Sequence, residues 1–597
     1  MTKPTDKVIL SDMSLCEPSD AISEVMTLGR WTTIPYEAEG FAGNLIFAGP
    51  HNHAPPVRLP LKQKGWYRIY VGAHYSDVPD SIAASQSQSL DSLYQLRLKL
   101  PEDPCYHWIT PERYISRKEG EWRSHQFNHH DLVEVLWREC ELDGGFIEFS
   151  PSRLEENYRH TSACVAYVRM EAMTDAEIAE VRDDRTRTDT RRLIGTYDGA
   201  FWGHFPWTVE QFREFVEPLR NSDFRAIAWS TSRADTVQYG SKKFQTWEGP
   251  PTPGVKPYHN ARDLHRSLDA GLDPLSVMAE ICKEMGIELL GNMRISAQHL
   301  PPHQKFRADP YLWSRPENRV RLADGTPTGQ LSLASPVVRS RLTDVLREQV
   351  EDYDIDGVYV KFNRSYPFVL FEEPARGEFI SKYGEDPAGL DPRDDRWIAH
   401  KATYVMGFVN GLRDMLDEVG NKTGRRLKLA LHVMSCLRHN RFHGLDLEPA
   451  IRQGRIDYLL PHPTFSPEID QLEADEGYGP FNTGHHSVTP ERIAEFARVA
   501  EGTRCGIYPD IFPRRMPADE FRKRALAYYR VGADGMGFHD LYWRLHRKSE
   551  WAMLRRLGHR DEMPAWRERC ESFFRKRNLV TMSGCSMDPR FNPGTCG

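Results

Sequence analysis

The chain has 597 residues, 40% of them apolar, and 85 acidic against 78 basic side chains for a formal charge of -7. That length supplies about two to four domains, and the slightly acidic balance excludes the basic excess of a nucleic-acid binder. No run of about 18 apolar residues is present, which excludes a helical membrane span.

The chain opens with MTKPTDKVILSDMSLCEPSD, which lacks the apolar centre of a secretory signal. The 10 cysteines are scattered singly, with no Cys-x-x-Cys pair. That spread suits reduced thiols in a reducing compartment, so the expected location is the cytoplasm.

Residues 28–173 are strand-like, with short apolar or alternating runs between turn residues, such as NLIFAG, GWYRIYVGAHY, YQLRLKL, GGFIEFS and SACVAYVRM. The period-two alternation of YQLRLKL suits a half-buried antiparallel strand. LDGG at 142–145 reads as a hairpin turn. Six or seven such strands predict an antiparallel β-sandwich. Residues 174–192 are charged, free of glycine, and begin with a threonine able to cap, so they read as a linker helix.

From residue 193 to about 580 the pattern becomes strand, loop, helix, repeated. Eight core strands are expected at LIGTY (193–197), FRAIAW (224–229), IELLGNM (287–293), GVYVKF (357–362), LKLALHV (427–433), IDYLLP (456–461), RCGIYP (504–509) and DGMGF (534–538). Amphipathic stretches such as PLSVMAEICKEMG and FRKRALAYYR lie between them. Eight βα units predict a (β/α)8 TIM barrel, giving an α/β fold preceded by a β-sandwich. A doubly wound open sheet is the competing arrangement, but GTYDGAFWG after the first strand is not the glycine fingerprint that fold carries. Residues 581–597 hold turn formers without periodicity and read as a loose tail.

A barrel places its chemistry at the C-terminal strand ends. Strand one offers Asp198 and Trp202, strand two Trp229, and strand three Asn292 and Arg294. Strand four offers Lys361, Asn363, Arg364 and Glu372, and strand five His432. His462, Asp510 and the pair His539–Asp540 follow strands six, seven and eight. Aromatic faces beside polar edges suit a sugar ring, and carboxylates from several strands suit glycoside hydrolysis, which needs one acid and one base or nucleophile.

The strand-four stretch YDIDGVYVKFNRSYPFVLFEEP, the third strand MGIELLGNMRI, the eighth strand YYRVGADGMGFHD and the opening RRLIGTYDG resemble the glycosyl-hydrolase-like TIM-barrel proteins of the bacterial family 10-like group. The resemblance runs from about residue 30 to 580 and implies a carbohydrate-active barrel. Members of that group carry an aspartate late in the fourth strand, where this chain has Lys361. An ammonium cannot act as the carboxylate nucleophile, but it can neutralise an acidic sugar or pair with Glu372 or Glu373.

The leading expectation is a glycoside hydrolase acting on an oligosaccharide, with an acidic or modified sugar made credible by Lys361. Glu372 is expected as acid/base and Asp510 or Asp198 as its partner. Lys361, Asn363, Arg364, His432, Trp202, Trp229, Asn292, Arg294, His539 and Asp540 are expected to bind substrate. One alternative is a metal-dependent TIM-barrel lyase or isomerase, because His432, His462, His539 and Asp540 fall at strand ends and histidine is the commonest transition-metal ligand. Another is an inactive barrel that binds glycan. No organic cofactor, nucleic acid or membrane partner is expected, while a metal ion and a homo-oligomer stay open. Walker, H-E-x-x-H and G-x-S-x-G motifs are absent.

Overall fold

The computed structural model describes residues 7–49, 52–74, 95–109, 114–118, 121–124, 131–151, 162–197, 205–248, 256–295, 311–363, 365–464, 488–512, 516–541, 548–566 and 574–587. It is a mixed α/β fold, with antiparallel sheets in the first part of the chain and a parallel sheet in the second.

In the antiparallel part, a large sheet runs in the order Lys7–Leu10, Tyr167–Ala172, Lys64–His74, Asp131–Asp143, Phe574–Met582, Trp31–Ala38, Phe41–Ala48 and Ala163–Val165. A smaller sheet runs Val57–Pro60, Phe146–Ser150, Leu96–Lys99 and His107–Ile109. Alternate residues of both sheets, among them Ile69, Val71, Val133 and Val168 from one and Leu59, Leu98, Ile147 and Phe149 from the other, share one apolar core. Period-two patterning places one face of most of these strands on that core, while Leu579 packs with Tyr36, Leu45 and Tyr167 in a second apolar cluster.

Five expectations change here. The strands outnumber the six or seven expected, and the first starts at Lys7, ahead of residue 28. Phe574–Met582, assigned by sequence partly to the barrel and partly to a tail, pairs instead with Asp131–Val135 and Tyr36–Ala38. Met582 also pairs with Cys585 in a further short strand, so the region past residue 580 is sheet up to Ser586. The partners of Phe574–Met582 in Asp131–Val135 and Tyr36–Ala38 are more than 400 positions away, beyond the reach of any local pattern. The turn at LDGG does not close a hairpin: Gly144 and Gly145 take φ of 77° and 82°, and the strands before and after them join different sheets. Glycine tolerates this left-handed backbone, which carries the chain from one sheet to the other.

Helix α1 (Asp175–Thr186) follows, opened by a reciprocal cap in which the Thr174 hydroxyl accepts from the Glu177 N–H and the Glu177 carboxylate accepts from the Thr174 N–H. No residue of α1 is buried. Polar contacts tie it down instead: Arg68 bonds Glu177 at 2.7 Å, and Arg185 donates to the Glu139 carbonyl at 2.6 Å.

The parallel part holds strands β1 (Leu193–Thr196), β2 (Phe224–Arg233), β3 (Glu288–Arg294), β4 (Gly357–Lys361), β5 (Lys428–Val433), β6 (Tyr458–Pro461), β7 (Gly506–Ile507) and β8 (Met536–His539). Each of β1 to β6 pairs in parallel with the next. β1 also pairs with β8, and Asp510, just past β7, bridges to Gly537 in β8. β7 is shorter than RCGIYP suggests, although the N–H groups of Tyr508 and Asp510 still donate to the Leu459 and Pro461 carbonyls of β6. Helices follow the strands, including Val209–Val216 after β1, Pro336–Asp352 after β3 and Asp395–Thr423 after β4. Ile194, Ala226, Ala228, Leu290, Tyr359, Ala430, Tyr458, Leu460 and Tyr508 meet in a single apolar cluster. The opposite faces of the strands pack on the helices in the largest core of the molecule.

The two parts are pinned together by Arg97 of the small sheet and Glu214 of Val209–Val216, paired at 3.0 Å with side-chain exposures of 4% and 3%. Trp108 Nε1 donates to the other Glu214 oxygen at 2.8 Å. Among the described residues, no helix is long and apolar enough to cross a membrane.

Candidate functional site

Register decides what gathers at the strand ends. Arg233, Arg294, Lys361 and His432 are successive cross-strand partners on β2 to β5. Residues two apart on a strand share a face, so Lys361 follows Tyr359 and His432 follows Ala430 toward the cluster between the strands. His462 comes one residue after β6, Asp510 three after β7, and His539 ends β8.

These four converge. One ligand-type atom from each of His432, His462, Asp510 and His539 lies within 4.8 Å of the others, and all four residues are buried. A single oxygen of Asp510 faces His432 Nε2 at 2.5 Å and His462 Nδ1 at 2.6 Å. The imidazoles pack closely, with ring centroids 4.7 Å apart for His432 and His462 and 4.9 Å for His462 and His539. The other Asp510 oxygen, His432 Nδ1 and His462 Nε2 are buried and have no hydrogen-bond partner among the described residues.

Burial dominates the protonation of the cluster. It pulls the His432 imidazole down to about 4, against the charge of Asp510, and lowers His462 well below the usual range. Burial alone would raise the Asp510 carboxyl, but the charge of His432 and the bonds from His432 and His462 overcome it and hold the acid well below the ordinary range. The resulting group is a buried carboxylate held between imidazoles.

The Lys361 side chain is buried beside this group, and its charge acts on His432. Asn363 donates its backbone N–H to the His432 carbonyl at 2.9 Å. Its side-chain amide is fully buried, and both polar atoms lack a partner among the described residues. Asp540, directly after His539, has φ of 54°, a left-handed conformation that aspartate tolerates better than most residues and that often marks functional sites.

Other sequence-designated residues land elsewhere. Glu372 does not share a partner with Asp510. Its carboxylate accepts from the Ser332 hydroxyl, from the Arg321 N–H at 3.2 Å and from the Leu370 N–H at 3.1 Å. Burial raises the pKa of the Glu372 carboxyl above its ordinary value, yet the group latches the Arg319–Leu331 hairpin to the loop after β4, a structural task. The expected pairing of Glu372 with Asp510 is therefore replaced by the pairing of Asp510 with histidines. Trp229 also changes role: it packs against Tyr197, Phe212 and Phe215 at centroid distances of 5.1, 6.4 and 5.5 Å, on the helix side of β2, and does not offer a sugar platform.

Asn292 donates to the Tyr197 carbonyl at 2.7 Å, tying β3 to the end of β1. Arg294 stands beside Lys361 in register. The aromatics after β4 pack the loop: Phe371 stacks on Trp397 at 5.8 Å and Tyr366 lies on His443 at 4.7 Å. Asp198, Trp202 and Arg364 lie outside the described residues. The fourth member of the histidine group is Asp510 and not the Asp540 of the metal alternative, since Asp540 Oδ1 stands 3.6 Å from His539 Nε2 and outside the group. His462 was visible as a strand-end histidine in LLPHP, but nothing local ties it to Asp510, 48 positions on.

No curated protein matches the chain. Among solved structures, the glycoside hydrolase domain of PgaB (BpsB) from Bordetella bronchiseptica aligns with a TM-score of 0.39 and 13% identity, covering 61% of this chain and 97% of that one. Alpha-L-fucosidase isoenzyme 2 from Paenibacillus thiaminolyticus aligns with a TM-score of 0.37 and 14% identity, over 64% of this chain and 50% of its own. A beta-galactosidase from the psychrophilic Marinomonas ef1 aligns with a TM-score of 0.39 and 12% identity, over 63% and 60%. The chain thus spans about half to three fifths of the last two. The segment from 203 to 472, which contains Lys361, Glu372, His432 and His462 and ends before Asp510 and His539, matches the family described as Glycosyl hydrolase-like 10.

Proposed function

We propose that this chain is a carbohydrate-active hydrolase whose reaction centre is the Asp510 group, at the C-terminal end of a closed (β/α)8 barrel. The observation that carries the reading is the buried carboxylate of Asp510 bound by His432 and His462 at the end where parallel strands place chemistry. The family match over residues 203–472 supports a glycosyl substrate.

In this reading Asp510 stabilises the positive charge that a glycosyl centre develops as its bond breaks. The histidines set its orientation and provide proton acceptors and donors nearby. Lys361, Arg294 and Asn363 bind the sugar, and the two cations favour an acidic one. The protein acts in the cytoplasm.

A panel of neutral and uronic glycosides tests the reading. Wild-type protein should hydrolyse at least one, and Asp510→Ala should lower kcat/KM by about 1,000-fold or more. Full turnover in Asp510→Ala overturns the assignment of the centre. Saturable binding without turnover across the panel favours a glycan-binding barrel instead.

A further inference from the structure

We infer that His432, His462, Asp510 and His539 form a binding site for a single divalent transition-metal ion of the zinc class. The inference rests on the same site as the reading above, but not on the glycosidic reaction. Three imidazole nitrogens and one carboxylate oxygen are a donor set preferred by zinc and its neighbours, and unlike the all-oxygen sets of magnesium and calcium.

The spacing fits. With bonds of about 2.0–2.1 Å, ligand atoms around a tetrahedral ion stand about 3.3 Å apart, and opposite ligands of an octahedral ion about 4.2 Å apart. The four ligand atoms already lie within 4.8 Å of one another. The 2.5 and 2.6 Å contacts of Asp510 with the two imidazoles need open by less than about 1 Å to admit the ion.

The donors come from the ends of β5, β6, β7 and β8, four neighbouring elements that fix them without any loop closing. Hydrogen bonding alone does not account for the group. It leaves the second Asp510 oxygen, His432 Nδ1 and His462 Nε2 buried and unpartnered among the described residues, a costly arrangement unless something else is bound there.

The amide of Asn363, whose backbone N–H donates to the His432 carbonyl and whose two buried side-chain polar atoms have no partner among the described residues, offers a further polar contact beside the ion.

The test uses the full chain, stripped with a chelator and titrated with Zn2+ by calorimetry, with bound metal counted by elemental analysis. One ion per chain with a Kd of about 1 μM or tighter is expected. His462→Ala and Asp510→Asn should each weaken binding about 100-fold or more. Because these variants alter a buried group, Co2+ is also added to the wild-type chain, where visible d–d absorption should appear at one equivalent and be displaced by Zn2+. No stoichiometric binding to the wild-type chain overturns the inference, as does unaltered affinity in the Asp510→Asn/His462→Ala double variant. Glycoside turnover by metal-free protein that binds no Zn2+ would defeat the metal site and leave the hydrolase reading standing. Tight one-to-one binding without glycoside turnover would do the reverse.

Discussion

His432 and Asp510, 78 positions apart in the chain, meet at 2.5 Å with both side chains fully buried. Asp510 is also the shared acceptor of His462. Asp510→Ala therefore strands two buried imidazole donors, at about 1–3 kcal/mol each. Scanning calorimetry should show the unfolding midpoint of the parallel part fall by several degrees, with Asp510→Asn falling less because it keeps an acceptor. An unchanged midpoint in Asp510→Ala would show that the pair contributes nothing to the fold.

Lys361 should govern substrate charge. Lys361→Met is expected to lower kcat/KM for a uronic glycoside by about 10- to 100-fold while leaving a neutral one within about threefold, since the loss is that of one charge-assisted contact. Equal losses on both substrates would assign Lys361 to the architecture of the site and not to recognition.

Arg97 and Glu214 join the antiparallel part to the first helix of the parallel part, buried on both sides. Removing one partner alone leaves an uncompensated charge, so Glu214→Ala should destabilise by about 3–5 kcal/mol. Replacing both, as in Arg97→Met with Glu214→Leu, should recover most of that loss. Denaturant unfolding of the two single variants and the double variant gives the coupling directly. Additive losses would contradict it.

His559 bonds Asp184 of α1 at 2.5 Å and Asp223, just before β2, at 2.8 Å. Burial opposes its charge, but the two carboxylates win and raise it to about 9 from 6.5. A histidine raised in the folded state stabilises fully below about pH 6.5 and loses that contribution as pH climbs through about 9. The linkage is on the order of 3 kcal/mol. Thermal midpoints measured from pH 6 to 10 should fall across this window in the wild type, and that component of the fall should vanish in His559→Phe. An identical pH profile in the variant would remove His559 from the account.

Legibility differed from place to place. The eight apolar runs of the parallel part were readable because each strand is buried on both faces and bounded by glycine, proline or a charged helix, all of which are local properties. The ends of those runs named His432, His462, Asp510 and His539 as residues at the functional face for the same reason. Local pattern also supported the cap of α1, where Thr174 and Glu177 stand three positions apart.

Two adjacent glutamates after β4 suggested chemistry, yet Glu372 is committed to Ser332 and two backbone N–H groups. Trp229 suggested a sugar platform, yet a shift of one residue on a strand turns a side chain to the other face, and β2 turns it to the helices. Phe574–Met582 looked like the end of one domain but is a strand of the other sheet.

Period and capping act over a few residues, so the core strands of the parallel part and the cap of α1 are written in local pattern. The sequence by itself also determined which residue types stand at the strand ends. Tertiary structure alone decided which of them meet: Asp510 with two histidines instead of with Glu372, and Arg97 with Glu214 across the two parts. Those pairings depend on strand register and on the order of neighbours in each sheet, which are set by the packing of the whole core and leave no trace in any single stretch of the chain.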